Sequence, residues 1–395
     1  MTSNDSVTLY RRALPESQIA FSSPEGRLLF AEALANGTLS GFFPLIEQFH
    51  TQADPAYCGL ASLVMCLNAL AIDPGRVWRG PWRWFSEELL DCCTPLDKVK
   101  QTGLSLDEVA CLARCNGAET TLYRAEEYDL ATFRNAIEQV SRRDDKVLVT
   151  SYARSALGQT GDGHFSPIGG YHSSRDLVLL LDVARFKYPP HWVKVKDLYF
   201  SMLEPDKITG RSRGWLQLSR RGMPSIVAKF FSCPRGVGIR EVLVSLIDKY
   251  TNVNPQGKYS SAAEFLVTSL QVVTNSGLSS CFELRATTAP EDTRIFAQLR
   301  EQLTNSHLFC ELSQAAKDRG MSAADIVTTA LWLLTAPQRI YSAIPENTRA
   351  AIETMVAVHE LPAELAAEII NVRSQMEFLI DHLAYSAGCS GSAAA

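Results

Sequence analysis

The sequence predicts an α+β fold in which a cysteine-led helix packs on an antiparallel sheet, with a mainly α-helical domain following it. Three observations carry that prediction. Asp54-Pro55-Ala56-Tyr57-Cys58 runs directly into the helical periodicity of Leu60, Leu63, Val64 and Leu67. Gly158–His172 and Asp176–Val183 read as two strands joined by a short polar turn. Beyond about residue 220, apolar residues recur at helical spacing, so domains are expected at 1–220 and 221–395.

Each element has a local reason. Pro55 biases Asp54 away from the helical region, which makes the lead-in extended and sets Cys58 on the first turn. The unpaired N–H groups and the positive end of the helix dipole there favour a thiolate. Taken alone, Cys58 is more simply a thiol packed under a helix, the usual state of a cysteine without a disulfide. The strand pair changes that reading. With its turn, His172 to Arg175, centred near Ser173, His164 stands directly opposite Asp182, with Cβ atoms roughly 5 Å apart. A carboxylate that ends the run Leu179-Leu180-Leu181 needs a partner. His164 supplies it, and the bond would hold the imidazole in one tautomer, as a general base requires. A purely structural His–Asp bond and a register slipped by one residue are the alternatives. Cysteine, then histidine, then aspartate, with helix before hairpin, is the order of the papain-like cysteine-peptidase fold.

Further along, Cys233-Pro234-Arg235-Gly236-Val237-Gly238 reads as a loop. Ser322-Ala323-Ala324-Asp325 reads as a capping-box start for a helix that Pro337 stops. Pro345 opens another helix, over Asn347 to His359, and Glu360 to Tyr385 keeps a helical period before a Ser/Gly/Ala tail. Trp82, Trp84, Phe85 and the run Tyr188 to Trp192 are expected to seal the core.

Composition narrows the class. The 395 residues are 46% hydrophobic and 21% charged, enough for two domains and a large core. A net charge of −5 makes no case for nucleic acid, although Lys207 to Arg240 holds several basic residues and no acid. A solvated face is the simpler meaning of that stretch, and attraction of anionic ligands the second. Met1 to Ala20 lacks an apolar core segment, and no apolar run reaches membrane-spanning length. The ten cysteines, with Cys92 and Cys93 adjacent, do not form a disulfide pattern, so a reduced, cytoplasmic protein is expected.

Several runs together resemble the phytochelatin synthase family. They are Ala56-Tyr57-Cys58-Gly59-Leu60-Ala61-Ser62, Asn68-Ala69-Leu70-Ala71-Ile72-Asp73-Pro74-Gly75-Arg76, Gly80-Pro81-Trp82-Arg83-Trp84-Phe85, Gly163–His172 and Leu181–Trp192. They cover most of Phe42 to Trp215. The resemblance implies a papain-like γ-glutamylcysteine dipeptidyl transferase that joins glutathione units into metal-chelating peptides and releases glycine. It places the nucleophile on Cys58, the base on His164, the orienting acid on Asp182 and an oxyanion-hole donor on the side chain of Gln52. Between Gln52 and Pro55 the family has Ser-Glu where this chain has Ala53-Asp54.

Glutathione carries an α-amino and an α-carboxylate group on its γ-glutamyl end, so a selective pocket should offer one acid and one base. Asp206 and Arg213 supply that pair in a segment that also resembles the family, and an Arg fork can grip a carboxylate with two bonds. An exposed loop ion pair is the bland alternative. Gly163, Arg185 and Tyr188 are further expected substrate contacts. Cys92, Cys93, Cys111 and Cys115 are a candidate set of soft metal ligands, with Cys111 and Cys115 on one helix face. Their spacing is not that of a zinc finger, and buried structural thiols are the commoner case.

No organic cofactor is expected. The resemblance implies stimulation by cadmium, zinc or copper ions, acting as metal-bridged glutathione thiolates. Glutathione and phytochelatin peptides are the expected partners, with neither nucleic acid nor membrane. The C-terminal domain is expected to stabilise and modulate the first, and a homodimer interface is one role open to it. Two other functions compete: a hydrolase that clips glycine from glutathione or its S-conjugates without chain elongation, and a non-catalytic, thiol-rich metal buffer.

Overall fold

A computed structural model describes residues 11–376 except 75–76, 92–93, 221–228, 231–238, 252–258, 284–289, 318, 343, 371 and 374–375. The expected loop Cys233 to Gly238 and the Ser/Gly/Ala tail lie outside the described residues. The chain divides into two units, residues 1–90 with 96–222 and residues 91–95 with 223–395.

The first unit is mixed helix and antiparallel sheet. Its seven strands are β1 (Ile19–Ala20), β2 (Ala118–Arg124), β3 (Lys146–Ala153), β4 (Gly163–His172), β5 (Leu177–Leu180), β6 (His191–Lys194) and β7 (Gly214–Arg220), in the spatial order β1-β6-β5-β4-β3-β7-β2. Its helices are α1 (Pro24–Ala35), α2 (Phe42–Glu47), α3 (Cys58–Ala69), α4 (Leu96–Thr102), α5 (Leu106–Cys115), α6 (Leu130–Ser141) and α7 (Val195–Leu203). α3 begins at Cys58 itself, and its residues from Gly59 to Leu67 are all buried. That is why its sequence is apolar on every side.

Ser105 and Glu108 form a capping box that starts α5, and Asp129 caps α6 through the Thr132 N–H. Alternation along β3 divides its side chains. Leu148 and Tyr152 join the core beside Phe133 and Ile137 of α6 and Leu198, Tyr199 and Met202 of α7. Ser151, between them in the alternation, lines a cleft instead.

The hairpin register differs from the one expected. β4 pairs with β5 through His172↔Leu177, Tyr171↔Val178 and Gly170↔Leu179, then shifts at a bulge to Ile168↔Leu180. The turn is a short 3₁₀ segment, Ser173–Arg175, closed by Asp176 in the left-handed region at φ 50°. A turn of the same length that falls later in the chain, over 173–176, therefore displaces the register, the bulge at Gly169 takes back only one residue of that displacement, and Asp182 lies past the end of β5 instead of opposite His164. Of the aromatics expected to seal the core, Phe85, Tyr188 and Trp192 do so. Trp82 and Trp84 are 69% and 43% exposed.

The second unit is mainly helical. The capping box at Ser322 and Asp325 starts the helix Ala323–Thr335, which ends at Ala336 just before Pro337. Glu346–Met355 forms the helix that Pro345 opens, and residues 363–370 are helical.

Candidate active site

The approach to Cys58 is held from both sides. Asp54 Oδ1 accepts the Ala56 N–H at 2.9 Å and the Asp54 carbonyl accepts the Tyr57 N–H at 2.9 Å, which closes the turn that Pro55 starts. The Gln52 N–H donates to the Val183 carbonyl at 3.1 Å, tying this loop to the segment that follows Asp182. Glu87 accepts the Ala53 N–H with both carboxylate oxygens, at 3.2 and 3.1 Å. Tyr57 at the N-cap position makes no side-chain cap, so the first-turn N–H groups of α3 are left without one.

Cys58 is half-buried in a cleft of about 310 Å³. Also lining that cleft are Thr102 and Gly103, Ser151, Gly163 and Phe165, and Asp206 and Arg213. Burial pushes the Cys58 thiol above its ordinary range. The Phe165 and Gly59 N–H groups and the Arg154 cation pull the other way without overcoming it. Cys58 thus rests as a thiol, contrary to the thiolate that the helix start suggests. Desolvation, which the sequence does not display, outweighs the dipole.

His164 Nε2 lies 2.9 Å from Asp182 Oδ1, although the two residues are not cross-strand partners. By extension of the Ile168↔Leu180 register, Asp182 falls nearest Ser166, two residues along the strand, and the imidazole spans that step. His164 is also the neighbour of Phe165, whose N–H touches the thiol. Burial and the Arg154 cation lower the His164 pKa to about 4, against the opposing pull of Asp182. The ring is therefore neutral, with Nε2–H donated to the carboxylate and Nδ1 left as the basic nitrogen. Burial alone would raise the Asp182 pKa, but His164 and Arg154 together hold it well below the usual carboxylate range.

Other expected site residues divide between the cleft and the framework. Asp206 and Arg213 both line the cleft. Asp206 Oδ1 accepts the Ile208 N–H at 2.8 Å and the Thr209 N–H at 3.3 Å. Arg213 Nη1 donates to the carbonyls of Glu204 and Pro205 at 2.7 and 3.0 Å. Its Nη2 approaches Asp162 at 3.3 Å, and its buried Nε has no partner among the described residues. The Nε–Nη2 edge is thus the one suited to an incoming carboxylate. Gly163 lies against that edge, where a Cβ would stand 3.2 Å from Nη2.

Gln52 is buried, and its Nε2 donates to the carbonyls of Asp54 at 2.8 Å and Pro55 at 2.9 Å, so both amide protons are engaged on the approach loop. Arg185 is exposed with its guanidinium over the Phe49 ring at 4.9 Å, and the buried Tyr188 accepts the Thr160 N–H at 2.9 Å. Neither of these two lines the cleft.

Cys111 and Cys115 are buried on α5. Cys92 and Cys93 lie outside the described residues. Among the described residues no group of three or more His, Cys, Asp or Glu is placed to hold a metal ion. Nor is any helix there long and apolar enough to cross a membrane.

Two residues at this site escape a reading of the sequence. Arg154 donates to both oxygens of Asp182, and Asp162 joins Arg213 to Lys207, the latter at 2.8 Å. Nothing local distinguishes either from other surface charges. Only the fold, which seats Arg154 behind the hairpin, gives it a buried carboxylate.

The family pattern described as Phytochelatin synthase matches residues 9–215. The chain is 53% identical over 224 residues to glutathione gamma-glutamylcysteinyltransferase 3 of Lotus japonicus, an alignment covering 56% of this chain and 47% of that protein. It is 53% identical over 215 residues to glutathione gamma-glutamylcysteinyltransferase 1 of Arabidopsis thaliana, covering 54% and 44%. The chain thus spans about half the length of the plant relatives it matches. Against glutathione gamma-glutamylcysteinyltransferase of Schizosaccharomyces pombe it is 32% identical over 385 residues, covering 98% of this chain and 89% of that one.

Proposed function

Because the chain belongs to the phytochelatin synthase family, we propose that it is a papain-like transpeptidase. On this reading it transfers γ-glutamylcysteine from glutathione to a second glutathione or a growing phytochelatin, with release of glycine. The observation that carries it is the cleft, which brings together a helix-start cysteine and an acid and base, Asp206 and Arg213, that match the two charges of a γ-glutamyl group. His164 and Asp182 form a pair at 2.9 Å, and His164 precedes Phe165, which lines the same cleft.

In the mechanism that follows, the substrate carboxylate lies on the Nε–Nη2 edge of Arg213 and its ammonium on Asp206. The neutral imidazole of His164 takes the Cys58 proton on Nδ1 as sulfur attacks the Cys–Gly carbonyl. The oxyanion accepts from the Cys58 N–H and from Gln52 Nε2. Both Gln52 protons are engaged in the free protein, so Gln52 must release the Asp54 or Pro55 carbonyl to take part. The imidazolium then protonates the departing glycine amine, leaving a γ-glutamylcysteinyl thioester on Cys58. His164 finally removes a proton from the acceptor amine, which attacks the thioester and restores the thiol.

Heavy-metal ions enter this proposal as part of the acceptor, bridging glutathione thiolates, and need no ligands among the catalytic residues. The protein is placed in the cytoplasm, where glutathione is abundant and thiols stay reduced.

Mass spectrometry of the products from reduced glutathione, with and without cadmium and beside Cys58→Ala, tests the proposal. γ-Glutamylcysteine oligomers and free glycine, stimulated by metal and absent in the variant, are expected. Glycine and γ-glutamylcysteine without oligomers would show a hydrolase instead.

A further inference from the structure

Behind the His164–Asp182 pair lies a polar chain that the reaction above does not use. Arg154 follows β3 and is 3% exposed. Its Nη2 donates to Asp182 Oδ1 at 2.9 Å and to Oδ2 at 2.7 Å. Its Nη1 donates to Gln159 Oε1. The guanidinium lies over the Tyr188 ring at 5.1 Å, and the Arg154 N–H donates to the Asp162 carbonyl at 2.8 Å.

Gln159 is itself braced. Its Nε2 donates to Gln18 Oε1 at 2.8 Å and to His191 Nε2 at 3.0 Å, while His191 Nδ1 donates to the Pro189 carbonyl at 2.8 Å. Gln18, Gln159 and His191 are all buried. Arg154 is not among the residues that line the cleft, so its head is directed at the carboxylate and not at a ligand.

Taking a guanidinium and a carboxylate out of water is costly, and such a pair is weak evidence of stabilisation. Its geometric effect is plain. Asp182 accepts from His164, twice from Arg154 and from the Ala184 N–H at 2.9 Å, which fixes the plane of its carboxylate. We propose that Arg154 is a positioning residue for the transfer reaction: it clamps Asp182 and thereby sets the ring orientation and tautomer of His164. The proposal rests on the roles assigned above to Cys58, His164 and Asp182.

The charges around His164 agree with this. Arg154 and Tyr152 face it from β3 and its end, Asp182 and Lys187 from the segment after β5, and Cys58 lies beyond Phe165 at the start of α3. Burial and then Arg154 act most strongly to keep the ring neutral, while Asp182 favours the imidazolium. Removing the guanidinium leaves Asp182 to act on the ring unopposed except by burial and Lys187. The imidazole would then gain a proton at higher pH and lose the free Nδ1 that the thiol needs.

The test compares wild type, Arg154→Met and Arg154→Lys as full-length proteins. The His164 imidazole is titrated by ¹⁵N-edited NMR, and glycine release from glutathione is measured on the same samples. His164 should titrate near pH 4 in wild type and in the lysine variant, and at least about one unit higher in the methionine variant. In Arg154→Met, kcat should fall on the order of 100-fold with KM for glutathione nearly unchanged, and lysine should recover part of the loss. An unshifted His164 titration in Arg154→Met, or a raised KM with kcat intact, would overturn the clamp.

If Arg154→Met does not fold, Gln159→Leu removes the brace while keeping the charge. A lower kcat at constant KM is then expected, and an unchanged kcat would overturn the proposal. Wild type that releases no glycine would refute the transferase reading, while the titration would still decide the clamp.

Discussion

Cys58 shows how far a residue's chemistry departs from its local signal. The start of α3 supplies the N–H groups that stabilise sulfur anions, yet burial prevails and the thiol keeps its proton. Two consequences follow for single residues. Alkylation of Cys58 by iodoacetamide in the free protein, followed on its own peptide by mass spectrometry, should keep accelerating through pH 9. A plateau reached near neutrality would mean a preformed thiolate–imidazolium pair and contradict the neutral state described here. Arg213 gives the second. A lysine there cannot hold the Glu204 and Pro205 carbonyls and also present a two-pronged edge. Arg213→Lys should raise KM for glutathione by about tenfold, a change of about 1.4 kcal/mol, with a smaller effect on kcat. Initial rates over a range of glutathione concentrations separate the two.

At the scale of elements, signals that depend on a few neighbouring residues were legible, and those that depend on a bulge were not. The lead-in Asp54-Pro55, the start of α3 and the capping box at Ser322 are local, and each lies where the sequence places it. The register of β4 against β5 is set by a three-residue turn and an irregularity at Gly169, neither of which has an unambiguous sequence mark. The His164–Asp182 contact survives the misplaced register because an imidazole can reach a diagonal neighbour. Arg154 could not be foreseen at all, since it meets Asp182 28 residues away across the sheet. Close packing between strands is also written in glycine. At Gly214 a Cβ would stand 2.0 Å from the Tyr123 carbonyl oxygen, a backbone atom of the paired strand β2. Gly214→Ala must push β7 and β2 apart, and overpacking of that kind costs about 1–3 kcal/mol. A lower urea midpoint should be accompanied by a raised KM, because Arg213 immediately precedes the displaced residue. Wild-type stability in this variant would show that the sheet yields without cost.

At the scale of the molecule, a neutral histidine in the interior makes folding itself sensitive to pH. The native state resists protonating His164 until about pH 4, whereas the unfolded chain takes that proton near 6.5. Between those values the unfolded state binds more protons, so stability falls as pH falls. The loss from this one residue between pH 7 and 5 is about 2 kcal/mol, from the roughly 1.4 kcal/mol that each pKa unit represents. His191, buried and lowered chiefly by desolvation, acts in the same direction. Asp182 is depressed, so its contribution is present above its unfolded value of 3.8 and is lost only at lower pH, outside this window. Urea denaturation at pH 7 and pH 5 should therefore show a marked drop for wild type, and His164→Gln should reduce that drop by about 2 kcal/mol while abolishing glycine release. Equal drops in the two proteins would mean that the imidazole titrates in the native state as it does in the unfolded chain, near 6.5, and the buried neutral histidine described here would fall with the linkage. The same buried neutrality that leaves His164 able to accept the thiol proton thus costs the protein stability under mild acid.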